Sequence, residues 1–264
     1  MNSVQCLRPV EAALLDISGV LKNGKQAIPG SVEAFRKLRA SGMPIKLVTN
    51  ETQATRGAIA SILMSMGFDV QENDIIPPCP AVVRLLKDEG LRPHLLVHPN
   101  VLPEFSEVDQ HSPNCVVVGD AAENFTYEHL NNAFQVLLAG EKPRLFSLGR
   151  GKYYREDNDL VLDVGAFATA LEYAADVKAE IIGKPEKEFF ATALMELKVN
   201  PEDAVMVGDD LLHDVGGAQN SGIQGVLVRT GKFRKTDETS AVVKPDAIVN
   251  DLAEAVDLIL KSNR

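Results

Sequence analysis

Short apolar runs alternate with amphipathic segments along most of the chain. Uninterrupted apolar runs of this kind are typical of strands that are buried on both faces of a parallel sheet. Segments with apolar residues three and four positions apart predict helices between them. The predicted strands include 12–15, 44–48, 95–98, 115–119, 144–148, 180–182, 204–208, 224–228 and 247–249, and the predicted helices include 31–42, 53–67 and 186–197. This alternation predicts an α/β fold with a parallel sheet that helices cover on both faces.

A carboxylate follows the first predicted strand. Asp16 comes directly after 12–15 and shortly before Gly19, and open α/β sheets bind their ligands at this carboxyl end of the strands. Since ionised carboxylates are rarely buried without a partner, we expect Asp16 to meet a cation or a substrate. A turn or a helix cap is the alternative that remains open when Asp16 is considered alone.

More carboxylates follow the predicted strand 204–208. Asp209 and Asp210 come directly after it, and Asp214 lies four residues beyond Asp210. Because the carboxyl ends of parallel strands meet at one edge of the sheet, these residues and Asp16 predict a shared acidic pocket. The carboxylates would repel one another without a cation, and oxygen ligands with few nitrogen or sulfur partners suit Mg²⁺. The pocket therefore predicts bound Mg²⁺.

Two further segments carry candidate phosphate-binding groups. Thr49 and Asn50 follow the predicted strand 44–48, where a hydroxyl and the N–H groups of a helix N-terminus can hold a phosphate oxygen. Lys184 follows an apolar run and lies between a glycine and a proline. A lone lysine is usually a solvated surface charge. Here the flanking glycine and proline, together with the predicted acidic pocket, favour a side chain that points inward. The proline also predicts that a helix begins just after it.

These segments, in this order, resemble the haloacid dehalogenase (HAD) superfamily of phosphotransferases. The first HAD motif, Asp-x-Asp-Gly-(Thr/Val), is matched by 16–20, where Ser18 replaces the second aspartate. The other HAD motifs are matched by Thr49–Asn50, by Lys184, and by Gly208, Asp209 and Asp214. Further stretches at 131–137, 153–154, 215–219 and 229–234 are similar to one branch of HAD subclass IIA.

The resemblance implies a role for each matched residue. Asp16 would be a nucleophile that forms an aspartyl-phosphate intermediate. Mg²⁺ would be held by Asp16, Asp209 and the backbone carbonyl of Ser18. Asp214 would act through a metal-bound water or by orienting Lys184, which makes Asp16, Lys184 and Asp214 the implied catalytic residues. The implied substrate-binding residues are Ser18, Thr49, Asn50 and Lys184.

Serine at position 18 restricts the expected leaving groups. In HAD members that cleave esters, the aspartate at this place protonates the departing alkoxide and later activates water. A serine hydroxyl is a poor acid and a poor base at pH 7, and general acid–base help is worth ~10²–10⁴-fold. We therefore expect slow turnover of sugar phosphates and better turnover of pyrophosphate, acyl phosphates and P–N bonds. Glu51 is a candidate substitute base, but a surface glutamate at a helix start is the interpretation that we favour.

The spacing of the motifs predicts a second domain. The chain between Thr49 and Lys184 is too long for one or two βα units, and its middle part carries its own predicted strands. We therefore expect an inserted α/β cap at 80–165 and a catalytic core formed by 1–79 and 166–264. An insertion at this point resembles the C2-type cap of HAD subclass IIA, which covers the active site and selects the substrate.

Two residue pairs in the predicted cap allow more than one interpretation. His94 and His98 could share one strand face, but no Cys, Asp or third His lies at a zinc-like spacing, so a metal role is disfavoured. Tyr153 and Tyr154 predict a solvated hairpin, with substrate contact as the alternative.

Composition excludes several partners. The chain has 264 residues and a formal net charge of −10, which argues against nucleic acid or an anionic membrane. The apolar runs are too short to span a membrane, and the N-terminus has no signal pattern. Three cysteines without a CxxC pair favour a reducing, cytoplasmic setting, with the nucleus as an alternative. The expected partner is a small-molecule phosphate or a phosphorylated protein side chain, and a homodimer formed through the cap would fit the resemblance.

Two other functions stay open at this point. One is a general small-molecule phosphate monoesterase of HAD subclass IIA. The other is a weakly active binding or scaffold protein in which Ser18 marks lost activity. The motif residues are all intact, which argues against such a loss: Asp16, Thr49, Lys184, Asp209 and Asp214.

Overall fold

The computed structural model describes residues 7–156 and 159–263. This described part divides into two compact units. The first unit comprises 7–49, 59–76 and 184–263, and the second comprises 50–58 and 77–183 apart from 157–158.

Strands form at most of the predicted apolar runs. They are β1 (Ala12–Leu15), β2 (Lys22–Asn23), β3 (Gln26–Ala27), β4 (Ile45–Val48), β5 (Ile75–Ile76), β6 (Pro93–Leu96), β7 (Cys115–Val118), β8 (Arg144–Ser147), β9 (Tyr153–Glu156), β10 (Asp159–Leu162), β11 (Ala179–Ile181), β12 (Ala204–Gly208), β13 (Gln224–Val228) and β14 (Ala247–Val249).

Helices occupy much of the chain between these strands. They are α1 (Ser31–Ala40), α2 (Arg56–Ser65), α3 (Pro78–Asp88), α4 (Tyr127–Ala139), α5 (Val164–Ala175), α6 (Lys187–Leu197), α7 (Gly217–Asn220) and α8 (Leu252–Ser262). A π-helical turn at Leu211–Gly216 leads into α7, and short 3₁₀ segments lie at Glu72–Asp74, Pro99–Phe105, Ala122–Asn124, Pro201–Asp203 and Lys235–Thr239.

A six-stranded parallel sheet forms the centre of the first unit. Its strand order is β14-β13-β12-β1-β4-β5. Leu15 of β1 is level with Val207 of β12 on one side and with Leu47 of β4 on the other. The order of the strands along the chain therefore reverses at β1, and such a switch point is where open α/β sheets bind ligands.

Helices bury the strands of this sheet. Leu14 of β1 and Met206 of β12 are fully buried and share a core cluster with Phe189 and Phe190 of α6. Elsewhere in the unit, α1 packs against α8. The strands β1, β12 and β13 are buried along their whole length, which explains why they appear in the sequence as continuous apolar runs.

The second unit is built on a separate four-stranded parallel sheet with the order β11-β8-β7-β6. Alternate residues of β7 face different core clusters. Val117 packs with Cys79 and Phe105, whereas Val116 packs with Ala133 of α4. The predicted α/β class with parallel sheets is therefore confirmed.

The last strand of the second unit's sheet differs from the sequence prediction. β11 pairs with β8, with Ile181 level with Ser147, so the run 180–182 belongs to the second unit. The sequence assigned this run to the catalytic core 166–264, and the observed pairing differs because long-range contacts, which the apolar run does not reveal, decide strand pairing.

The segment 50–58 also belongs to the second unit. Thr52 Oγ1 accepts a hydrogen bond from the backbone N–H of Asp120 at 3.0 Å. Gln53 Nε2 donates to Asp120 Oδ2 at 2.6 Å. The second unit therefore differs from the predicted insertion 80–165 at both ends. Its role as a cap stays a prediction.

Several local expectations change in detail. The helix after Lys184 begins at Lys187, so the proline lies before its N-cap. Of the two histidines expected on one strand, only His94 lies in β6; His98 follows it and accepts a hydrogen bond from the N–H of Asn100 at 3.2 Å. The tyrosine pair begins β9, which pairs with β10 in antiparallel orientation.

Cys79 and Cys115 are buried thiols without a disulfide, and Cys6 lies outside the described residues. Burial raises the pKa of Cys79 and of Cys115 to about 12. In the described part of the chain, no helix has the length and apolar character needed to cross a bilayer.

Candidate active site

The polar residues that follow β1, β4 and β12 lie at one edge of the first unit's sheet. The N–H of Asp16 donates to Val207 O at 2.9 Å, which extends the β1–β12 ladder by one residue. Asp209 comes directly after β12, and Thr49 comes directly after β4. Asp16, Thr49 and Asp209 are all buried. The structure thus brings together residues that are far apart in the sequence.

Lys184 is a buried cation within this cluster. Its Nζ lies 2.6 Å from Asp16 Oδ1 and 2.7 Å from Asp214 Oδ1, and it donates to the carbonyl of Val48 at 3.0 Å. Burial opposes the positive charge, but the carboxylates of Asp16 and Asp214 outweigh this effect and raise the pKa of Lys184 above its ordinary value. Lys184 is therefore protonated at neutral pH.

Without a bound metal, burial disfavours the ionised forms of Asp209 and Asp214. Burial raises the pKa of Asp209 to about 8, and the negative charges of Asp16 and Asp214 add to the rise. Burial also raises the pKa of Asp214 to about 6, although Lys184 acts in the opposite direction. One ammonium does not balance three buried carboxylates, so the cluster is short of positive charge.

Asp210 positions Asp214 by starting the π-helical turn. Its carboxylate accepts hydrogen bonds from the N–H groups of Leu212 and His213, both at 3.0 Å. Its own N–H donates to Asp214 Oδ2 at 3.1 Å. Burial opposes charge on Asp210, but hydrogen bonding to His213 outweighs it and lowers the pKa of Asp210. Asp210 therefore serves the local fold, and Asp214 completes the cluster.

A loop that follows β13 also contacts the cluster. The N–H of Lys232 donates to Asp209 Oδ2 at 2.6 Å, and Thr230 Oγ1 donates to the carbonyl of Gly19. Sequence reasoning used this stretch only as part of a resemblance and gave it no role. The signal was present, because these residues follow a buried strand of the same sheet and reach the same edge.

The remaining predicted residues lie in different surroundings. Ser18 is exposed at the turn after Asp16. Asn50 belongs to the second unit, where a Cβ added to Gly183 would lie 2.8 Å from Asn50 Oδ1. Glu51 Oε1 accepts a hydrogen bond from the N–H of Gln53 at 2.6 Å, so this carboxylate stabilises its own turn. A role for Glu51 as a substitute base stays a prediction.

The acidic residues form a compact donor set. Carboxylate oxygens of Asp16, Asp209 and Asp214 lie within 4.8 Å of one another. Oxygen donors of this kind suit a hard divalent cation, and a cation there would supply the positive charge that the cluster lacks.

Comparison with known proteins identifies the family. A sequence model described as haloacid dehalogenase-like hydrolase matches residues 13–111, and a HAD-hydrolase-like model matches residues 181–255. The phospholysine phosphohistidine inorganic pyrophosphate phosphatase of Xenopus laevis is 52% identical over 258 residues, which cover 96% of each chain. The chain belongs to the haloacid dehalogenase-like hydrolases.

Other members of this HAD-like hydrolase family are similar along nearly their whole length. The bovine haloacid dehalogenase-like hydrolase domain-containing protein 2 (Bos taurus) is 41% identical over 254 residues, covering 96% of this chain and 97% of the relative. The crystal structure of 4-nitrophenylphosphatase from Thermotoga maritima superposes with a TM-score of 0.86 at 27% identity, covering 95% of this chain and 97% of that one. The HAD resemblance predicted from the motifs is confirmed.

Proposed function

We propose that this HAD-like hydrolase is a Mg²⁺-dependent phosphatase that works through a phosphorylated Asp16. We further propose that it favours pyrophosphate and the P–N bonds of phosphohistidine and phospholysine. The observation that best supports the proposal is the buried carboxylate of Asp16. It lies 2.6 Å from the Lys184 ammonium and belongs to the same set of possible metal ligands as Asp209. The name of the Xenopus relative, which refers to the same three substrates, supports the substrate class.

The donor set fits Mg²⁺ by its chemistry. Asp209 would keep a proton up to about pH 8 without a cation, whereas a divalent ion would stabilise its ionised form. We assign Asp16, Asp209 and the backbone carbonyl of Ser18 as the residues that hold it. When bound, Mg²⁺ offsets negative charge on the nucleophile and on the phosphoryl oxygens.

The first chemical step belongs to Asp16. A carboxylate oxygen of Asp16 attacks phosphorus, and the P–O or P–N bond to the leaving group breaks with its electron pair going to that group. Lys184 and the hydroxyl of Thr49 bind the phosphoryl oxygens. Asp214 keeps Lys184 in place through the ion pair at 2.7 Å. Phosphoryl transfer depends mainly on positioning and electrostatics, which these fixed groups supply.

The second step regenerates the carboxylate. Water attacks phosphorus of the aspartyl phosphate, the bond between phosphorus and the Asp16 oxygen breaks, and both protons of the water leave with the phosphate product. Ser18 offers no carboxylic acid or carboxylate to either step. Pyrophosphate and protonated P–N compounds need less proton donation than alkyl esters, so they are the substrates that this site favours.

A substrate panel tests the proposal. Pyrophosphate, a phosphoramidate, acetyl phosphate and glycerol phosphate would be compared with Mg²⁺ and with a chelator, using Asp16→Asn protein as the control for contaminating phosphatases. We expect kcat/KM for pyrophosphate and the phosphoramidate to exceed that for glycerol phosphate by at least about tenfold. Equal or better turnover of the alkyl ester, or turnover that survives the chelator, would contradict the proposal.

A general phosphate monoesterase is the second candidate. The structural similarity to the Thermotoga 4-nitrophenylphosphatase favours it. The same panel separates the two candidates, because a monoesterase would hydrolyse glycerol phosphate at least as well as pyrophosphate. The proposal includes a small-molecule phosphate or a phosphorylated protein side chain as the partner, a homodimer, and a cytoplasmic setting.

A further inference from the structure

Lys232 is an exposed cation whose backbone is bonded to the acidic cluster. Its N–H donates to Asp209 Oδ2 at 2.6 Å. Its side chain is 61% exposed, and Nζ lies 3.8 Å from Asp210 Oδ2, which is a loose ion pair. The mechanism above gives this ammonium no task.

The loop that carries Lys232 is also fixed to the turn that carries Ser18. Thr230 Oγ1 donates to the carbonyl of Gly19. A Cβ added to Gly231 would lie only 2.6 Å from the Cα of Gly19. The backbone that carries the Lys232 side chain is therefore fixed both to the turn after Asp16 and to Asp209. Its flexible four-carbon stem lets the ammonium turn while the backbone stays in place.

The electrostatic field at Lys232 comes from the same carboxylates. Asp210 Oδ2 lies 3.8 Å from Nζ, and Asp209 Oδ2 accepts a hydrogen bond from the backbone N–H of the same residue. A lysine side chain is positively charged at neutral pH, so these carboxylates attract the ammonium. Lys184, in contrast, is buried and bonded to Asp16 and Asp214.

Cleavage of pyrophosphate creates a specific need for such a cation. When Asp16 attacks one phosphorus, the bond from that phosphorus to the bridging oxygen breaks. The bridging oxygen keeps the electron pair and leaves as part of the second phosphate, which gains negative charge. Ser18 cannot protonate it, so a positive charge beside the Ser18 turn would stabilise the departing group directly.

We propose that Lys232 binds the second phosphoryl group of pyrophosphate, which is the leaving group of the first step. This inference rests on the proposed function and deepens it by assigning a leaving-group subsite. In the absence of substrate the ammonium pairs with Asp210, and it turns to the substrate anion on binding. Substrates whose leaving group carries no phosphoryl group do not use this subsite.

Kinetics with two substrates test the assignment. Lys232→Met keeps the backbone N–H that bonds Asp209 and removes only the charge. A hydrogen bond to a charged group is worth about 1.5–3 kcal/mol, so kcat/KM for pyrophosphate should fall by at least about tenfold. For 4-nitrophenyl phosphate, whose leaving group has no phosphoryl oxygen, it should change by less than about threefold. Lys232→Arg should restore most of the loss. Lys235→Met, which removes an exposed lysine from the 3₁₀ segment that follows this loop, should behave like the wild type.

A binding measurement separates this role from a general effect on the site. Calorimetry with Mg²⁺ and methylenediphosphonate should show about tenfold weaker binding to Lys232→Met, while binding of Mg²⁺ alone should be unchanged. Equal losses on both substrates, no loss on pyrophosphate, or weakened binding of Mg²⁺ alone would overturn the assignment of Lys232 but leave the proposed function standing. A wild-type protein that hydrolyses 4-nitrophenyl phosphate but neither cleaves pyrophosphate nor binds the diphosphonate would overturn both.

Discussion

Lys184 Nζ lies 2.6 Å from Asp16 Oδ1, although 168 positions separate the two residues in the chain. The same ammonium lies 2.7 Å from Asp214 Oδ1. All three side chains are buried, so the removal of the cation would leave two carboxylates without their ionic partner in a poorly solvated place. The ion pairs of Lys184 therefore affect both the stability of the first unit and the position of the Asp16 carboxylate, the proposed nucleophile.

Lys184→Met should destabilise the metal-free protein strongly. Removing one partner of a buried ion pair typically costs about 3–5 kcal/mol, because the remaining charge is left uncompensated. The free energy of unfolding would be measured by urea denaturation at pH 7 in a chelator. Lys37→Met is the matched control, since it removes a lysine from an exposed pair with Asp257 and should cost less than about 1 kcal/mol. Similar losses for the two variants would show that the buried pair contributes no more than a surface one.

The metal-free protein should lose stability as the pH rises from about 4 to about 8. The pKa of Asp209 is raised from 3.8 to about 8 in the folded protein. Between these values the folded chain holds a proton that the unfolded chain has released, so the free energy of unfolding falls with increasing pH. Saturating Mg²⁺ should oppose the fall, because it binds the ionised carboxylates of the folded protein.

Melting temperatures measured from about pH 5 to pH 8.5 in a chelator check this expectation. Asp214 and His213 also have raised pKa values and act with the same sign. The contribution of Asp209 is therefore the difference between the wild type and Asp209→Asn, whose amide does not titrate. The variant should show a shallower fall above about pH 6, and an unchanged slope would contradict the assigned pKa shift.

Gly231→Ala should weaken Mg²⁺ binding. Gly231 has φ +62, and a Cβ there would lie 1.9 Å from Asp209 Oδ2, so the loop or the carboxylate must move. Displacing groups that orient a metal ligand typically costs about 10–100-fold in metal affinity. The Mg²⁺ titration midpoint, followed by thermal shift, should rise accordingly.

Gly24→Ala is the control for backbone strain. Gly24 has φ +54, but a Cβ there would meet nothing within 4 Å. Both variants incur the left-handed backbone cost of about 1–2 kcal/mol, whereas only Gly231→Ala crowds Asp209. A Mg²⁺ midpoint that shifts equally in both variants would mean that crowding of Asp209 is not the cause.

Ser18→Asp should change the leaving-group preference. A carboxylic acid at this exposed turn could protonate an alkoxide, so kcat/KM for alkyl esters should rise relative to pyrophosphate by about tenfold, which corresponds to ~1.4 kcal/mol in the transition state. Mg²⁺ affinity would be measured alongside, because the new charge lies close to Asp16. If Mg²⁺ binds normally and the ratio stays constant, residue 18 does not set the preference.

The sequence predicts the centre of the site well because its residues follow continuous apolar strands. β1, β12, β13 and β14 have the predicted bounds, since strands that are buried on both faces leave an uninterrupted apolar pattern. Because open α/β sheets bind ligands at the carboxyl ends of their strands, Asp16 and Asp209 are predicted to lie at the same edge even when the order of the strands is unknown.

Other features depend on contacts that residue types do not encode. β11 is only partly buried and has a charged, exposed residue at its centre. Only its pairing with β8 assigns it to the second unit. The link from Lys232 to Asp209 uses a backbone N–H, which every residue except proline can supply. The membership of 50–58 rests on Thr52 and Gln53 bonding to Asp120, and this depends on tertiary packing alone.

The most direct test of the central claim is to isolate the phosphorylated protein. Wild-type protein and Mg²⁺ would be mixed with ³²P-labelled pyrophosphate, quenched in acid within the first turnover, and mapped by peptide analysis. We expect an acyl phosphate, released by hydroxylamine, on the peptide that contains Asp16, and no label on Asp16→Asn protein. A full turnover without labelled protein, or a label that persists in Asp16→Asn, would contradict the assignment of Asp16 as the nucleophile.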